Sequence, residues 1–338
     1  MANEARKYRA GASFRFVTYF LDRALVENRI SLVIFVTSKW RYAGITALII
    51  TMMPFAALAA PDPAASRVPV VSPSPAASDV PSDPCGGVTR LLATLNRPTI
   101  GYSACVVPKG SIVLENGYQN QSQGGDSPGV ATTIGQGFQR VGIAERVELD
   151  LIAPTFNRAS SGGTLATGYN DLGLGFKVEL PQGGRFTYGV DGLFTAATGT
   201  GGFSMGGPSQ TFNFNIAYAA SPAIGFGSTL AFTSAAGNFT TKSTVLGAAP
   251  TSRIERYGFA MPSLVVTAQI PNAYQFYVEL VGQTKLGPAQ GGRIFADFGV
   301  QKLFGQNLEL DTEYGNSFTP IGGSRFHYIG VGAGVRVK

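Results

Sequence analysis

Residues 171–180, DLGLGFKVEL, alternate apolar and polar positions along their whole length. The apolar set runs from Leu172 to Leu180 in every second position, which predicts a β-strand because successive side chains point to opposite faces. In a soluble sandwich the apolar face is buried. In a membrane barrel the apolar face contacts lipid and the polar face lines the lumen. This segment fits both arrangements, so the rest of the chain must decide.

Similar alternation recurs from residue 110 to the C-terminus. VELDL (147–151), TFNFNIAY (211–218) and LELDTEY (308–314) are examples. The pattern predicts twelve strands, an even number as in bacterial outer-membrane barrels, at about 111–119, 132–142, 146–156, 170–180, 186–196, 210–219, 224–233, 255–270, 275–283, 293–303, 307–315 and 326–338.

Short and long connections alternate between these predicted strands. The short ones include PQGGR, ASPA, PNAY and FGQN, and the long, Gly/Ser-rich ones include NRASSGGTLATG, TGTGGFSMGGPS and residues 234–252. Outer-membrane barrels have short periplasmic turns and longer external loops, whereas a sandwich has no reason to place every long loop at one end. We therefore predict an all-β, transmembrane antiparallel up-and-down barrel of about 12 strands. A soluble β protein is the competing interpretation.

The two faces of the strands differ in chemistry. One face is apolar, as at Leu149, Phe176, Phe212 and Phe232. The other carries charged side chains, which would be costly against lipid and can be hydrated or paired inside a barrel. A charge ring that favours cations is one interpretation of this face, and a hydrated, internally paired lumen is the other. The candidate lumen-lining residues are Glu148, Asp150, Asp171, Lys177, Glu179, Asp191, Glu279, Asp297, Glu309, Asp311 and Glu313.

Composition supports a many-stranded β protein. Charged residues make up 14% of the 338 residues, and 44 are Gly. The formal charge of +6 is concentrated in residues 1–59, which hold eight Lys or Arg and three Asp or Glu, whereas the remainder holds 18 basic and 17 acidic residues. This distribution gives no basic surface for nucleic acid.

The N-terminal region carries an export pattern. Lys39 and Arg41 precede an apolar run that ends in Ala57-Leu58-Ala59, typical of a Sec-type signal peptide cleaved between Ala59 and Ala60. A retained transmembrane anchor is the alternative, because residues 43–60 have about the minimum length for a bilayer. We predict an N-terminal extension plus signal peptide over residues 1–59.

A Pro/Ala/Ser-rich linker is predicted over residues 60–84, a disulfide-closed periplasmic segment over 85–109, and the barrel over 110–338. Cys85 and Cys105 are the chain's two cysteines, and in an exported protein they predict a disulfide. Two cysteines without nearby His are too few for a metal site. The sequence leaves open whether LLATL (91–95) plugs the barrel or lies outside it.

A family resemblance rests on three segments: CGGVTRLLATLNRPTIGYSACVV, GSIVLENGYQN and GYNDLGLGFKVEL. Together with the strands that follow, over residues 85–338, they resemble the outer-membrane transporter family named for the MetA pathway of phenol degradation. The resemblance implies an outer-membrane channel for aromatic or other small hydrophobic compounds.

One catalytic motif occurs by spacing. GFSMG (202–206) matches G-x-S-x-G, but it lies in a Gly-rich loop between two strands, without the following helix that a nucleophile elbow needs. The single histidine, His327, lies in the last predicted strand. We therefore expect no enzyme activity, with an outer-membrane lipase as the less favoured alternative. No cofactor or metal is expected.

The resulting hypothesis is an outer-membrane channel that passes small molecules by passive diffusion, exported through a Sec-type signal. A structural or ligand-binding barrel without conductance is the alternative. The expected partners are outer-membrane lipids, the barrel-assembly machinery and small solutes, with no nucleic acid. The sequence leaves undecided whether the protein forms a homo-oligomer.

Overall fold

The computed structural model describes residues 84–86, 90–125, 128–181, 184–241, 251–319 and 325–337. The predicted signal peptide, its cleavage site at Ala59 and Ala60, and nearly all of the linker lie outside the described residues. Within these ranges, a short helix α1 (Arg90–Thr94) precedes the strands, and a 3-10 turn (Gly201–Phe203) lies between two of them. The strands are β1 (Ile112–Gln123), β2 (Gly129–Ile134), β3 (Phe138–Ala144), β4 (Val147–Ile152), β5 (Phe156–Ser161), β6 (Thr164–Tyr169), β7 (Leu172–Glu179), β8 (Phe186–Ala196), β9 (Ser209–Ala219), β10 (Ile224–Thr241), β11 (Thr251–Ile270), β12 (Tyr274–Gln283), β13 (Arg293–Phe304), β14 (Leu308–Ser317) and β15 (Phe326–Arg336).

Twelve of these strands form a closed barrel. β1, β3, β4 and β7 to β15 follow one another around it, each antiparallel to the next, and β15 pairs with β1 to close the ring. The closing pair runs from Val113 opposite Arg336 to Gln123 opposite Phe326. The prediction of an antiparallel up-and-down barrel of 12 strands is confirmed.

β2, β5 and β6 continue the walls of β3, β4 and β7 beyond local breaks. Gly135, with a φ of 78°, lies in the first break, where the left-handed backbone suits a glycine. Gly162 and Gly163, both with positive φ, form the two-residue turn between β5 and β6. The sequence predicted a long loop here, and this was wrong, because a polar hairpin at a barrel rim lacks a strong apolar period. β10 and β11 likewise extend into the predicted loop 234–252.

The short turns share one end of the barrel. They include Glu145–Arg146 between β3 and β4, the connection 220–223, and Gly305–Asn307 between β13 and β14. β1 begins and β15 ends at this same end, since Val113 is opposite Arg336. Longer connections, such as 197–208 and 284–292, lie at the other end.

The burial pattern is inverted relative to a soluble sheet. Along β14, Leu308 and Leu310 are 37% and 45% exposed, whereas Glu309 and Asp311 are 0% and 3% exposed. The same alternation puts apolar side chains outward on the other walls, with Phe176 52% exposed beside a buried Lys177. Such an outer surface suits lipid and an inner surface suits polar contacts. Among the described residues, no helix has the length and apolar character needed to span a bilayer.

Candidate functional site: a plug inside the barrel

Residues 90–108, which we call the plug, lie inside the barrel and precede its first strand. α1 opens the plug, and its Leu91 and Leu92 belong to one buried cluster with Val113 of β1 and Leu303 of β13. These two wall residues are on the inward faces of β1 and β13, which are separated by β14 and β15 around the ring. The LLATL stretch therefore lies within the barrel, which the sequence left open.

A disulfide joins the plug to the residue Cys85, which precedes it. Cys85 and Cys105 are bonded, with their Cα atoms 5.5 Å apart, and both are buried. The predicted disulfide is thus present. It closes a loop with a sequence separation of 20, and the chain-entropy model gives such a crosslink about 3 kcal/mol.

Wall glutamates bind the plug through its main chain. Glu115 on β1 accepts the backbone N–H groups of Asn96 and Arg97, at 3.0 and 2.8 Å. Glu279 on β12 accepts two more, from Ile100 at 2.7 Å and from the following residue at 2.8 Å. A buried carboxylate needs such donors, and charge-assisted bonds are the stronger kind. The wall therefore fixes the path of the plug backbone.

Arg140 on β3 is a fully buried cation between wall and plug. Its guanidinium lies 3.1 Å from the Glu115 carboxylate and 2.6 Å from the Glu148 carboxylate. It also donates to the backbone carbonyls of Thr94 and Cys105, both in the plug. One side chain thus joins two wall carboxylates to both ends of the plug.

Arg97 is a cation of the plug that contacts the wall. Its guanidinium lies 3.2 Å from Asp311 and 3.7 Å from Glu313, both on β14. It passes between Gly117 of β1 and Gly332 of β15, which face each other across the closing pair, and a Cβ on either would meet it. Burial acts to lower the pKa of Arg97, but the two carboxylates outweigh burial and raise it. Arg97 is therefore charged, and the glycine pair makes room for it.

Tyr102 anchors the middle of the plug. Its ring stacks on Phe138 of β3 with the centroids 5.9 Å apart, and Lys177 of β7 lies 5.7 Å from the ring centroid. Thr229 of β10 donates to its carbonyl at 3.1 Å. Since β4, β7, β8 and β9 separate β3 from β10 around the ring, the plug reaches across the lumen.

The candidate lumen-lining residues share one property, burial on the inward side of the sheet. Each is less than 9% exposed, apart from Glu179, which is half-buried. Many have protein partners: Asp191 accepts from the Asn213 and Asn215 amides, and Asp297 accepts from the Tyr328 hydroxyl at 2.7 Å. The residues placed this way are Glu148, Asp150, Lys177, Asp191, Glu279, Asp297, Glu309, Asp311 and Glu313.

Asp171 differs from the other candidates because it lies at the break between β6 and β7. Its carboxylate accepts from the backbone of Gly199 at 2.8 Å, from the backbone of Met205 at 2.9 Å and from the Ser204 hydroxyl at 2.8 Å. Asp171 thus holds the connection 197–208 in place. His327 is exposed on β15, and within the described residues the Ser204 hydroxyl hydrogen-bonds to Asp171 and to the Gly206 backbone, not to His327.

The sequence analysis identified Lys177 but missed the two arginines of the site. Arg140 lies directly opposite Asp150 in the β3–β4 pairing, and the tight turn between these strands could have shown this register. Glu115, which lies on the inward face of β1, could have been found by the same alternation that identified the other carboxylates. The position of Arg97 could not, because nothing in the plug sequence says which wall it meets.

Side chains from five strands of the wall, β1, β3, β10, β12 and β14, contact residues 90–108. The plug is held by an apolar cluster that includes Leu91 and Leu92 and by polar and charge-assisted contacts. The polar contacts can exchange with water.

The chain is similar to solved outer-membrane barrels. The crystal structure of the COG4313 outer membrane channel from Pseudomonas putida F1 matches with a TM-score of 0.52 and 12% identity, covering 72% of this chain and 99% of that one. At this identity the likeness shows the fold alone.

Two further matches are more distant. The NanC porin gives a TM-score of 0.42 at 10% identity, covering 66% of this chain and 98% of that one. The translocator domain of the autotransporter NalP from Neisseria meningitidis gives 0.40 at 12% identity, covering 67% of this chain and 88% of that one. At these scores neither adds to the argument. No protein-family model and no curated protein sequence matches the chain, so the MetA-pathway resemblance stays a prediction.

Proposed function

We propose that this protein is an outer-membrane channel for small molecules, closed at rest by its own N-terminal plug. Aromatic and other small hydrophobic compounds are the proposed solutes, passing by diffusion once the plug shifts. The bacterial outer membrane is the proposed location, with export through the predicted signal peptide. The apolar outer face of the barrel and its likeness to the COG4313 channel support this proposal.

The observation that carries the proposal is the attachment of the plug. A purely structural barrel gains stability from any tightly packed apolar filling. Here the filling is held by polar and charged groups as well as by apolar contacts, with Glu115 and Glu279 on plug N–H groups and Asp311 on Arg97. Buried ion pairs are weak sources of stability and are often retained where a defined second state matters. A closure that can be released needs this kind of contact.

The acidic lumen was interpreted either as a ring of free charges or as a hydrated, internally paired lumen, and the contacts of the plug bear on this choice. In the closed state Glu115, Glu148, Glu279 and Asp311 are partnered by Arg97, Arg140, Lys177 or plug N–H groups. This pairing favours a hydrated, internally neutralised lumen over an open ring of free charges. Displacing the plug would remove Arg97 and unmask its carboxylates, so cation preference is expected for the open state only.

The test is planar-bilayer conductance of the refolded chain with a weakened plug. In Glu279→Gln, the amide can accept only one of the two plug N–H groups and turns its own NH₂ toward the other. The loss is about 1–3 kcal/mol, which predicts a rise in open probability of roughly 5- to 100-fold. The control is Glu255→Gln, the same change on the part-exposed β11 partner of Arg253.

Two outcomes separate the candidate functions. Larger or more frequent conductance steps in Glu279→Gln, with Glu255→Gln like the wild type, support a plugged channel. Silence in all three proteins, each with heat-modifiable gel mobility, would overturn the channel and favour the structural or ligand-binding barrel. The lipase alternative fails if wild type and Ser204→Ala are equally inactive on phospholipid.

A further inference from the structure

Arg293 lies on the inward face of β13, at its first residue and directly after the connection 284–292. It is therefore at the long-connection end of the barrel, above the plug. Its Nε donates to the Gln283 side chain on β12 at 3.0 Å. Its side chain is part-buried.

Arg293 differs from the other cations of the interior in having no anion. Arg97, Arg140 and Lys177 all lie within ion-pair distance of carboxylates. Arg293 forms no ion pair within the described part of the chain. Asp297, the carboxylate two inward positions further along β13, accepts from the Tyr328 hydroxyl instead. A part-buried guanidinium without an anion keeps most of its hydrogen-bonding capacity free.

An aromatic platform holds this cation in place. The guanidinium lies 5.0 Å from the ring centroids of both Phe295 and Phe326. Both rings belong to a buried cluster that also packs against Ile100 of the plug. Cation–π contacts with two rings restrain a guanidinium and leave its remaining N–H groups available for a bidentate partner.

The surface next to Arg293 is apolar and open. On the inward face of β11, Phe259 and Met261 are half-buried, and Met261 packs against the same cluster. β11 adjoins β12, which adjoins β13. A single fixed cation beside half-exposed apolar side chains matches a molecule with one anionic end and an apolar body.

We propose that Arg293 is the recognition residue of a binding site for small monocarboxylic acids with an aromatic or apolar body. The carboxylate pairs with the guanidinium edge, and the body lies against Phe259 and Met261. This site rests on the proposed function in that it names a solute class for the channel. It also places the bound acid above the aromatic cluster that touches the plug.

The test is ¹⁹F NMR titration of the folded protein in detergent micelles, with empty micelles as background. The probes are 4-fluorobenzoate and 4-fluorobenzyl alcohol, which share the ring and differ in charge. Wild type should bind the acid at least tenfold more tightly than the alcohol. Arg293→Gln should lose at least tenfold for the acid and little for the alcohol, and Arg293→Lys should fall between because it keeps the charge but loses the bidentate edge.

The matched control is Arg256→Gln, because Arg256 is an exposed arginine on β11 that donates to the backbone carbonyl of Pro208. It should bind the acid like wild type. Equal binding of acid and alcohol by wild type, no binding of the acid, or undiminished binding by Arg293→Gln would each overturn the site. If Arg293→Gln does not fold, the acid-to-alcohol ratio of wild type and Arg293→Lys still decides. Binding is measured without conductance, so a silent barrel that binds the acid refutes the channel and leaves the site standing.

Discussion

Replacing Arg140 by methionine removes the cation that joins wall and plug while keeping most of the side-chain volume. The change leaves Glu115 and Glu148 buried without their main partner, at a cost of about 3–5 kcal/mol. The plug carbonyls of Thr94 and Cys105 each lose a donor, which adds about 1 kcal/mol apiece. Since the backbone pairing of the barrel is untouched, the expected result is a loosened plug in an intact barrel.

The assay is equilibrium urea unfolding in lipid vesicles, followed by heat-modifiable gel mobility and by conductance. Arg140→Met should lose about 5–7 kcal/mol in the transition that reports the plug, with little change in barrel unfolding. Arg185→Met is the control, because Arg185 is an exposed turn residue that donates to one carbonyl, and it should change stability by less than about 0.5 kcal/mol. A double-mutant cycle with Glu148→Gln should give a coupling above about 1 kcal/mol. A coupling near zero, or a plug transition like that of wild type, would refute the reasoning.

Three further predictions test the closing strand pair, the Cys85–Cys105 disulfide and the outer face of the barrel. Gly332→Ala places a methyl group against the Arg97 guanidinium and should lower the free energy of unfolding in urea by about 1–3 kcal/mol. The control is Gly282→Ala, because a Cβ there has its nearest neighbouring atom at 3.5 Å, and this variant should be near neutral. Reducing the disulfide should raise conductance by releasing one end of the plug, and unchanged conductance would contradict its closing role. Phe176→Arg puts a charge on the lipid face and should lower folding stability in vesicles by about 2–4 kcal/mol, while a change below 0.5 kcal/mol would argue against lipid contact there.

The inward and outward faces of the barrel strands could be predicted because they follow from the alternation of neighbouring residues. Alternation in LELDTEY places Glu309, Asp311 and Glu313 on one face, and the structure buries all three. The alternation of short and long connections then assigns every turn to one of the two ends of the barrel. The breaks at Gly135 and Asp171 were not predicted, because polar, glycine-rich strands at a rim resemble loops in composition.

The site was harder to predict because its contacts are remote in sequence. Arg97 meets Asp311, a separation of 214 residues, and Ile100 meets Glu279. The alternation of apolar and polar residues along a strand does not indicate such long-range pairs. The carboxylates were recognised as inward-facing, but their task of holding backbone N–H groups depends on where the plug enters the lumen.

The most direct test of the central claim, that the plug must move for solutes to pass, is to lock it. A Cβ on Gly101 would lie against the Ser263 side chain of β11, so Gly101→Cys combined with Ser263→Cys should join plug to wall by a second disulfide. The measurement is planar-bilayer conductance under non-reducing conditions during a urea ramp too mild to unfold the barrel. Wild type should show steps as the plug is released, and the locked protein should stay silent. Equal conductance from the locked protein would show that solutes pass beside a stationary plug and would contradict the account.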